Sequence, residues 1–194
     1  LILLSNTYKQ ASAQRPDGLA KDPQNKLLWR VPVRRLEAEA VRDSILKITG
    51  ALNTEMYGPP IYPPVDPALR ADTYQGINWP EGEDSFKTWR RSVYIKVKRS
   101  LLFPQLEVFD CPEITNAVAA RNSTTTPLQA LLLMNDPLIR RQAHLFAERL
   151  EKEVGKEAGR QVERAYALAF QRAPSVKERE LGLAFLKDHT LVDF

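Results

Sequence analysis

Two groups of polar residues have side chains and spacings suited to acid–base chemistry or to anion binding. In the first, Glu39 and Asp43 lie four residues apart on one side of a predicted helix, with Arg35 and Arg42 on the same flank. Two neighbouring carboxylates can act as an acid–base pair if burial pushes their pKa values apart. The arginines would instead keep both carboxylates ionised, which favours a structural ion-pair network over an acid–base site.

The second group stands immediately before a predicted helix. Arg121 is followed by a run of hydroxyl residues that includes Thr125, and then by Pro127 and Gln129. Free backbone amides and the dipole at a helix N-terminus favour an anion or a carboxylate. Ser and Thr are also common helix caps, so the alternative is a capped helix whose preceding loop is held by Arg121 through carbonyl oxygens.

Arg121 is predicted to join the two groups. A guanidinium carries five donors in a fixed fork and keeps its charge, so we expect Arg121 to be largely buried and bonded to carbonyls, Glu39 or Asp43. The candidate cluster, ligand-binding or structural, then comprises Arg35, Glu39, Asp43, Arg91, Arg121, Thr125 and Gln129.

Several cofactor chemistries are disfavoured by residue counts. Cys111 is the only cysteine, and His144 and His189 are the only histidines. These residues cannot form an internal disulfide, a zinc site of the usual nitrogen and sulfur ligands, or a covalent haem attachment. The apolar neighbours of Cys111 indicate a buried, inert thiol. We therefore expect neither a metal nor a cofactor in this chain, with oxygen-ligated ions such as calcium less firmly excluded.

Composition is that of a globular protein, with 43% hydrophobic and 27% charged residues among 194. No uncharged apolar run approaches the roughly 18 residues of a membrane span.

The net charge of +4 is modest for nucleic-acid binding. The doublets Arg34-Arg35, Arg90-Arg91 and Arg140-Arg141 could form a basic patch, but solvated helix faces are the favoured interpretation, so a nucleic-acid partner is not expected.

The apolar periodicity predicts a mainly α fold. Residues 33–50 show the clearest helical stripe, through Leu36, Val41 and Ile45, and end at Gly50, a typical terminator. Further helices are predicted to begin at Asp22-Pro23, Thr126-Pro127, Asp136-Pro137, residue 159 and Ser175.

Residues 53–89 interrupt this pattern with six prolines, which exclude a long helix or a central strand. Their aromatic residues argue against disorder, so we expect an irregular excursion that docks through its rings. Residues 92–98 alternate polar and apolar side chains and form the best strand candidate.

These patterns predict an irregular multi-helix domain with a long Pro- and aromatic-rich excursion and at most a small β element. We expect a single helical domain over residues 1–188, truncated at both ends, with 189–194 as a C-terminal remnant. Leu1 to Leu4 is interpreted as the end of a helix whose first turns are missing.

Three motifs, in this order, carry a family resemblance: NKLLWR (25–30) continuing to RRLEAEAVRD (34–43), RRSVY (90–94), and RNSTTTPLQAL (121–131) followed by NDP (135–137). With them the chain resembles the planctomycete-type domain of unknown function 1553 from residue 1 to about residue 186. The resemblance implies a C-terminal position in large exported bacterial proteins, in the periplasm or at the cell surface. There the domain accompanies domain of unknown function 1549 and cytochrome c-type domains, so haem c would belong to a separate domain.

The resemblance supplies no catalytic residues, so three functions remain open. The leading hypothesis is an accessory, non-catalytic module of an exported, haem-linked protein that packs on the companion domain. The first alternative is part of an enzyme site at a domain junction, binding an anionic or sugar substrate. The second is nucleic-acid binding through the basic doublets.

Overall fold

The computed structural model describes residues 1–71, 79–80, 82–99, 101–112 and 115–194, without the side chains of residues 70 and 71. It is mainly helical, at 47%, and the predicted fold class is confirmed. The described chain divides into two compact units, Leu1–Leu36 and Glu37–Phe194. The extent of the domain, over residues 1–188, stays a prediction.

The first unit contains a 3₁₀ turn, Ile2–Leu4, and helix α1, Pro16–Lys21. The helix predicted to begin at Asp22-Pro23 is wrong, because α1 ends there and no helix covers residues 22–32. The Asp22 carboxylate instead accepts the backbone N–H of Leu27 at 2.7 Å. The indole of Trp29 donates to the Asp22 carbonyl at 2.8 Å, so Asp22 organises a compact loop rather than a helix start.

The second unit holds the remaining described helices. They are α2 Ala38–Thr49, α3 Pro67–Ala71, α4 Pro104–Val108, α5 Pro127–Asn135, α6 Pro137–Val154, α7 Ala158–Phe170 and α8 Val176–Asp188. Helix α2 packs on α4 and α6, α5 packs on α4 and α6, and α7 packs on α6 and α8. No helix in the described part of the chain is long and apolar enough to cross a bilayer.

Local signals set most of these boundaries. Gly50 ends α2 with a left-handed φ of 82°, a conformation that glycine adopts without strain. The Asp136 carboxylate caps α6 by accepting the amides of Leu138 and Ile139 at 2.9 and 3.2 Å. Ser175 begins α8 with the predicted capping box. Helix α2 starts at Ala38, five residues later than predicted.

The excursion after residue 53 lies against the segment that follows it. The Ile61 N–H donates to the Tyr94 carbonyl at 2.8 Å, and the Lys96 N–H donates to the Ile61 carbonyl at 3.0 Å. Ile61, Trp79, Ile95 and Phe103 belong to one buried apolar cluster. The short helix α3 is the part of the excursion that was not expected.

The rings of the excursion divide into two groups. Trp79 and Trp89 are buried, whereas Tyr57 and Phe86 are exposed. Tyr74 lies outside the described residues. Docking through the rings is therefore true of the two tryptophans and of the half-buried Tyr62, whose ring meets Trp79 edge-on at 5.3 Å.

The strand predicted for residues 92–98 is wrong. Ser92–Tyr94 forms a 3₁₀ turn, and only isolated bridges link this segment to others in the described chain. The Ser92 N–H donates to Asp43 Oδ1 at 2.7 Å, and the Arg90 carbonyl accepts from Arg42 at 2.9 Å. Side chains of α2 thus occupy backbone groups that a strand would offer to a neighbouring strand.

Candidate functional site

Arg121 and Glu39 form the predicted link between the two polar groups. Arg121 Nη1 lies 2.7 Å from Glu39 Oε2 and 3.3 Å from Glu37 Oε2. The predicted burial of Arg121 is wrong, since 38% of its side chain is exposed. The segment before α5 runs along the surface, so the guanidinium meets the carboxylates at the protein boundary rather than inside.

Cys111 stands beside this ion pair, with its Sγ 3.8 Å from Glu39 Oε1. Burial and the negative charge of Glu39 both raise the pKa of the Cys111 thiol. Partial burial also raises the pKa of Glu39, but the Arg121 hydrogen bond, a backbone hydrogen bond and the Arg121 charge outweigh it and leave that pKa lowered. The result is a neutral thiol beside an ionised carboxylate, unlike the thiolate of a nucleophilic cysteine.

Four predicted residues line one open groove of about 710 Å³: Glu39, Asp43, Arg91 and Arg121. Asp43 is committed to the fold, because its Oδ1 accepts both the N–H and the hydroxyl of Ser92 at 2.7 Å. Arg91 is exposed. The groove therefore combines two accessible cations with three carboxylates, Glu37, Glu39 and Asp43, that already have partners.

Gln129 and Thr125 do not line this groove. Gln129 is buried and donates to the Val108 carbonyl at 3.0 Å, while its Oε1 accepts the Thr126 N–H at 3.3 Å. Thr125 is exposed in front of α5. Arg35 belongs to the first unit. Gln129 thus takes part in the N-terminal cap of α5, as the capped-helix alternative predicted.

Arg42 is the principal residue that the sequence interpretation misplaced. It is 1% exposed, with its guanidinium donating to the carbonyls of Arg90 and Thr88 at 2.9 and 2.8 Å. Burial lowers the pKa of Arg42 to about 10, partly offset by the charge of Asp43. The buried face of α2 runs through Ala38, Arg42 and Leu46, not through the stripe read from the sequence. Ala38, Arg42 and Leu46 follow one another at four-residue steps, and this spacing was the sequence signal that could have placed Arg42 on the buried face.

Arg90 performs the same task from the opposite side. It is 5% exposed and donates to the carbonyls of Glu55, Tyr57 and Pro59 in the excursion. Its guanidinium also lies 3.9 Å from the centre of the Tyr94 ring. Arg42 therefore holds residues 88–90 onto α2, and Arg90 holds residues 55–59 against its own segment, through the kind of carbonyl bonds that were expected of Arg121.

The described residues contain no group of three or more His, Cys, Asp or Glu side chains that could hold a metal ion. The expected absence of metal and cofactor stays a prediction.

The mainly helical fold, with arginines that fasten an irregular excursion, defines a mainly α domain. A family described as protein of unknown function (DUF1553) matches residues 1–186. The chain belongs to this family. No curated protein and no solved structure matches it.

Proposed function

We propose that this chain is an accessory, non-catalytic module of a larger exported, haem-linked bacterial protein, in which it packs on a companion domain. The observation that carries the proposal is the use of Arg42: the most buried charged side chain of the motifs binds the chain's own carbonyls. Asp43, Gln129 and Glu39 are engaged in the same internal way. Export and the association with haem are supported by the family resemblance alone.

Helix α5 offers a surface for such packing. Leu128, Leu131 and Met134 follow one another at three-residue steps and are 58%, 54% and 73% exposed. Residues at this spacing lie along one side of a helix. A contiguous exposed apolar patch on a soluble domain commonly marks an interaction surface. We therefore assign the companion domain to this face of α5.

Amide hydrogen exchange tests the assignment, by comparing the isolated chain with the same residues inside the parent protein. The amides of α5 should exchange at least several-fold more slowly in the parent. The double substitution Leu131→Gln and Met134→Gln should remove that extra protection. A matched control, Val176→Gln and Leu181→Gln, changes apolar residues of α8 that are at least as exposed as Leu131, and should leave α5 protection unchanged. Equal α5 exchange in parent and isolated chain would contradict the proposal.

The enzyme alternative is favoured by a different observation, the convergence of Arg91 and Arg121 on one open groove with Glu39 and Asp43. Exposed Arg91 can pair with a carboxylate or sulfate on a sugar, whereas Arg121 is already paired with Glu39 and Glu37. Titration of the chain with galacturonate, followed by chemical-shift changes, measures such binding directly. Saturable binding that Arg91→Gln abolishes would favour the enzyme alternative, and its absence would favour the accessory module.

Nucleic-acid binding is weakened by the placement of the doublets. Arg90 is buried on carbonyls, and Arg141 pairs with Asp84 at 3.7 Å and lies over the Trp89 ring. These guanidinium groups are already committed within the chain, so the doublets offer fewer cations to phosphates than the sequence suggested.

A further inference from the structure

A second cavity, of about 500 Å³, lies in the Glu37–Phe194 unit and shares no lining residue with the groove of Glu39 and Arg121 among the described residues. Val65, Trp89 and Phe103 are buried side chains that line it, together with several prolines. Cavities of this size and apolar character are typical of small-molecule sites. It could take a ligand about the size of one or two amino acids.

Gln105 gives this apolar cavity a specific polar feature. It lies on α4, is only 3% exposed and lines the cavity. Neither Oε1 nor Nε2 has a hydrogen-bond partner in the described part of the protein, and both atoms are closed to solvent. Buried polar groups nearly always have partners, so an unpaired carboxamide beside a cavity points to a group that binds there. Because the amide makes no hydrogen bond, turning it toward a ligand breaks none.

The carboxamide also specifies what it would bind. It presents one donor group and one acceptor side by side. The matching ligand group is another carboxamide, which can pair with it through two parallel hydrogen bonds. A ligand with only a hydroxyl or only an amine would leave one of these atoms unpaired.

The charged residues around the cavity determine which charge the ligand should carry. Asp66, Asp84 and Asp136 all line it. The one cation among the lining residues, Arg42, is turned to the carbonyls of Thr88 and Arg90. Asp84 is partly neutralised by Arg141 at 3.7 Å, whereas Asp66 is exposed. The balance favours a positively charged group at the mouth of the cavity.

We propose that this cavity binds a small cationic amine that carries an apolar side chain and a carboxamide, the chemistry of an amidated amino acid or of an amidated peptide end. The apolar side chain packs among Val65, Trp89 and Phe103. The carboxamide pairs with Gln105, and the ammonium group lies near Asp66.

Leucinamide is the probe that tests this proposal, with isoamylamine as the matched compound that lacks only the carboxamide. Titration of the full chain is followed through the Trp89 indole and Gln105 side-chain N–H resonances. Leucinamide should bind saturably in the millimolar range and roughly tenfold more tightly than isoamylamine, the preference expected from the paired carboxamides. No saturable shift, or equal binding of the two amines, overturns the proposal.

Two variants locate the interaction. Gln105→Leu should abolish the preference for leucinamide over isoamylamine without lowering the unfolding midpoint, because it removes an unpaired buried amide. Asp66→Asn keeps a side-chain acceptor for the Ala68 N–H and should weaken binding of both amines about twofold at low salt, with less effect at high salt. A preference that survives Gln105→Leu, or binding that is insensitive to Asp66→Asn, would refute the site as described.

Discussion

Arg42 and Arg121 offer a test of what burial does to one and the same functional group. Both guanidinium groups lie within hydrogen-bonding or ion-pair distance of partners on other segments. Arg42 is 1% exposed and Arg121 retains 38% of its side-chain exposure. We therefore expect Arg42→Met to destabilise the chain far more than Arg121→Met, although each substitution removes the same group.

The magnitude follows from the partners that each substitution leaves behind. Arg42→Met strands the carbonyls of Thr88 and Arg90, and an unpaired buried acceptor costs about 1–3 kcal/mol. Part of this loss is offset, because burial already penalises the charge and lowers the pKa of Arg42 to about 10. The expected net loss is about 2–4 kcal/mol, a fall of roughly 5–15 °C in unfolding midpoint for a unit of this size. Arg121→Met breaks a surface ion pair with Glu39, which is worth about 1 kcal/mol or less.

Chemical denaturation of the wild type and the two variants measures these differences. A third variant, Arg42→Lys, should recover only part of the loss, because one ammonium group does not reproduce the fork that reaches both carbonyls. Equal losses for Arg42→Met and Arg121→Met would refute the reasoning, and so would an unchanged midpoint for Arg42→Met. An unchanged midpoint would mean that the stranded carbonyls find other partners or water. Equal large losses would mean that the Arg121 ion pair contributes more than a surface pair should.

Three further outcomes are expected. The hydrogen bond from Arg172 lowers the pKa of Glu178 to about 2, so its stabilising contribution is present above about pH 4.5 and lost as the pH falls through about 2. The difference in unfolding midpoint between wild type and Glu178→Gln should therefore vanish in strong acid. Burial and then the Glu39 charge raise the pKa of Cys111, so alkylation by iodoacetamide at pH 8 should be slower than for a free cysteine and should accelerate in Glu39→Gln. Asp136→Ala should cost about 1 kcal/mol in chemical denaturation through loss of the α6 cap, with Asp136→Asn close to wild type.

Much of the helical framework was predictable, because its signals are local. Pro127 marks a helix start because it has no N–H that would need a partner in the first turn, and Asp136 marks one because its carboxylate accepts free amides there. Gly50 marks a helix end because glycine adopts a left-handed φ without strain. These effects need only a few neighbouring residues. The helix wrongly predicted at Asp22 shows their limit, since the same capping carboxylate was recruited by the N–H of Leu27 in a loop.

The candidate site was predictable only in part. The sequence predicted carbonyls, Glu39 or Asp43 as partners of Arg121, and the structure selects Glu39 among them. The exposure of Arg121 does not follow from the sequence, because burial depends on which segments cover the ion pair. Gln105 carried no sequence signal at all, since an isolated glutamine on a short helix attracts attention only when its carboxamide is seen buried beside a cavity.

By itself the sequence determined the helical class and several helix boundaries, because capping and proline geometry depend on neighbouring residues. It also determined the family, through three motifs in a fixed order. The tertiary structure alone decided which face of α2 is buried and which arginine fastens the excursion. Arg42 enters the interior because carbonyls from residues 88 and 90 meet it there, a pairing across more than forty residues of chain. The same contacts, with Asp43 on the Ser92 amide, replaced the expected strand by a 3₁₀ turn. Such hydrogen bonds depend on distances between remote segments, which no local pattern contains.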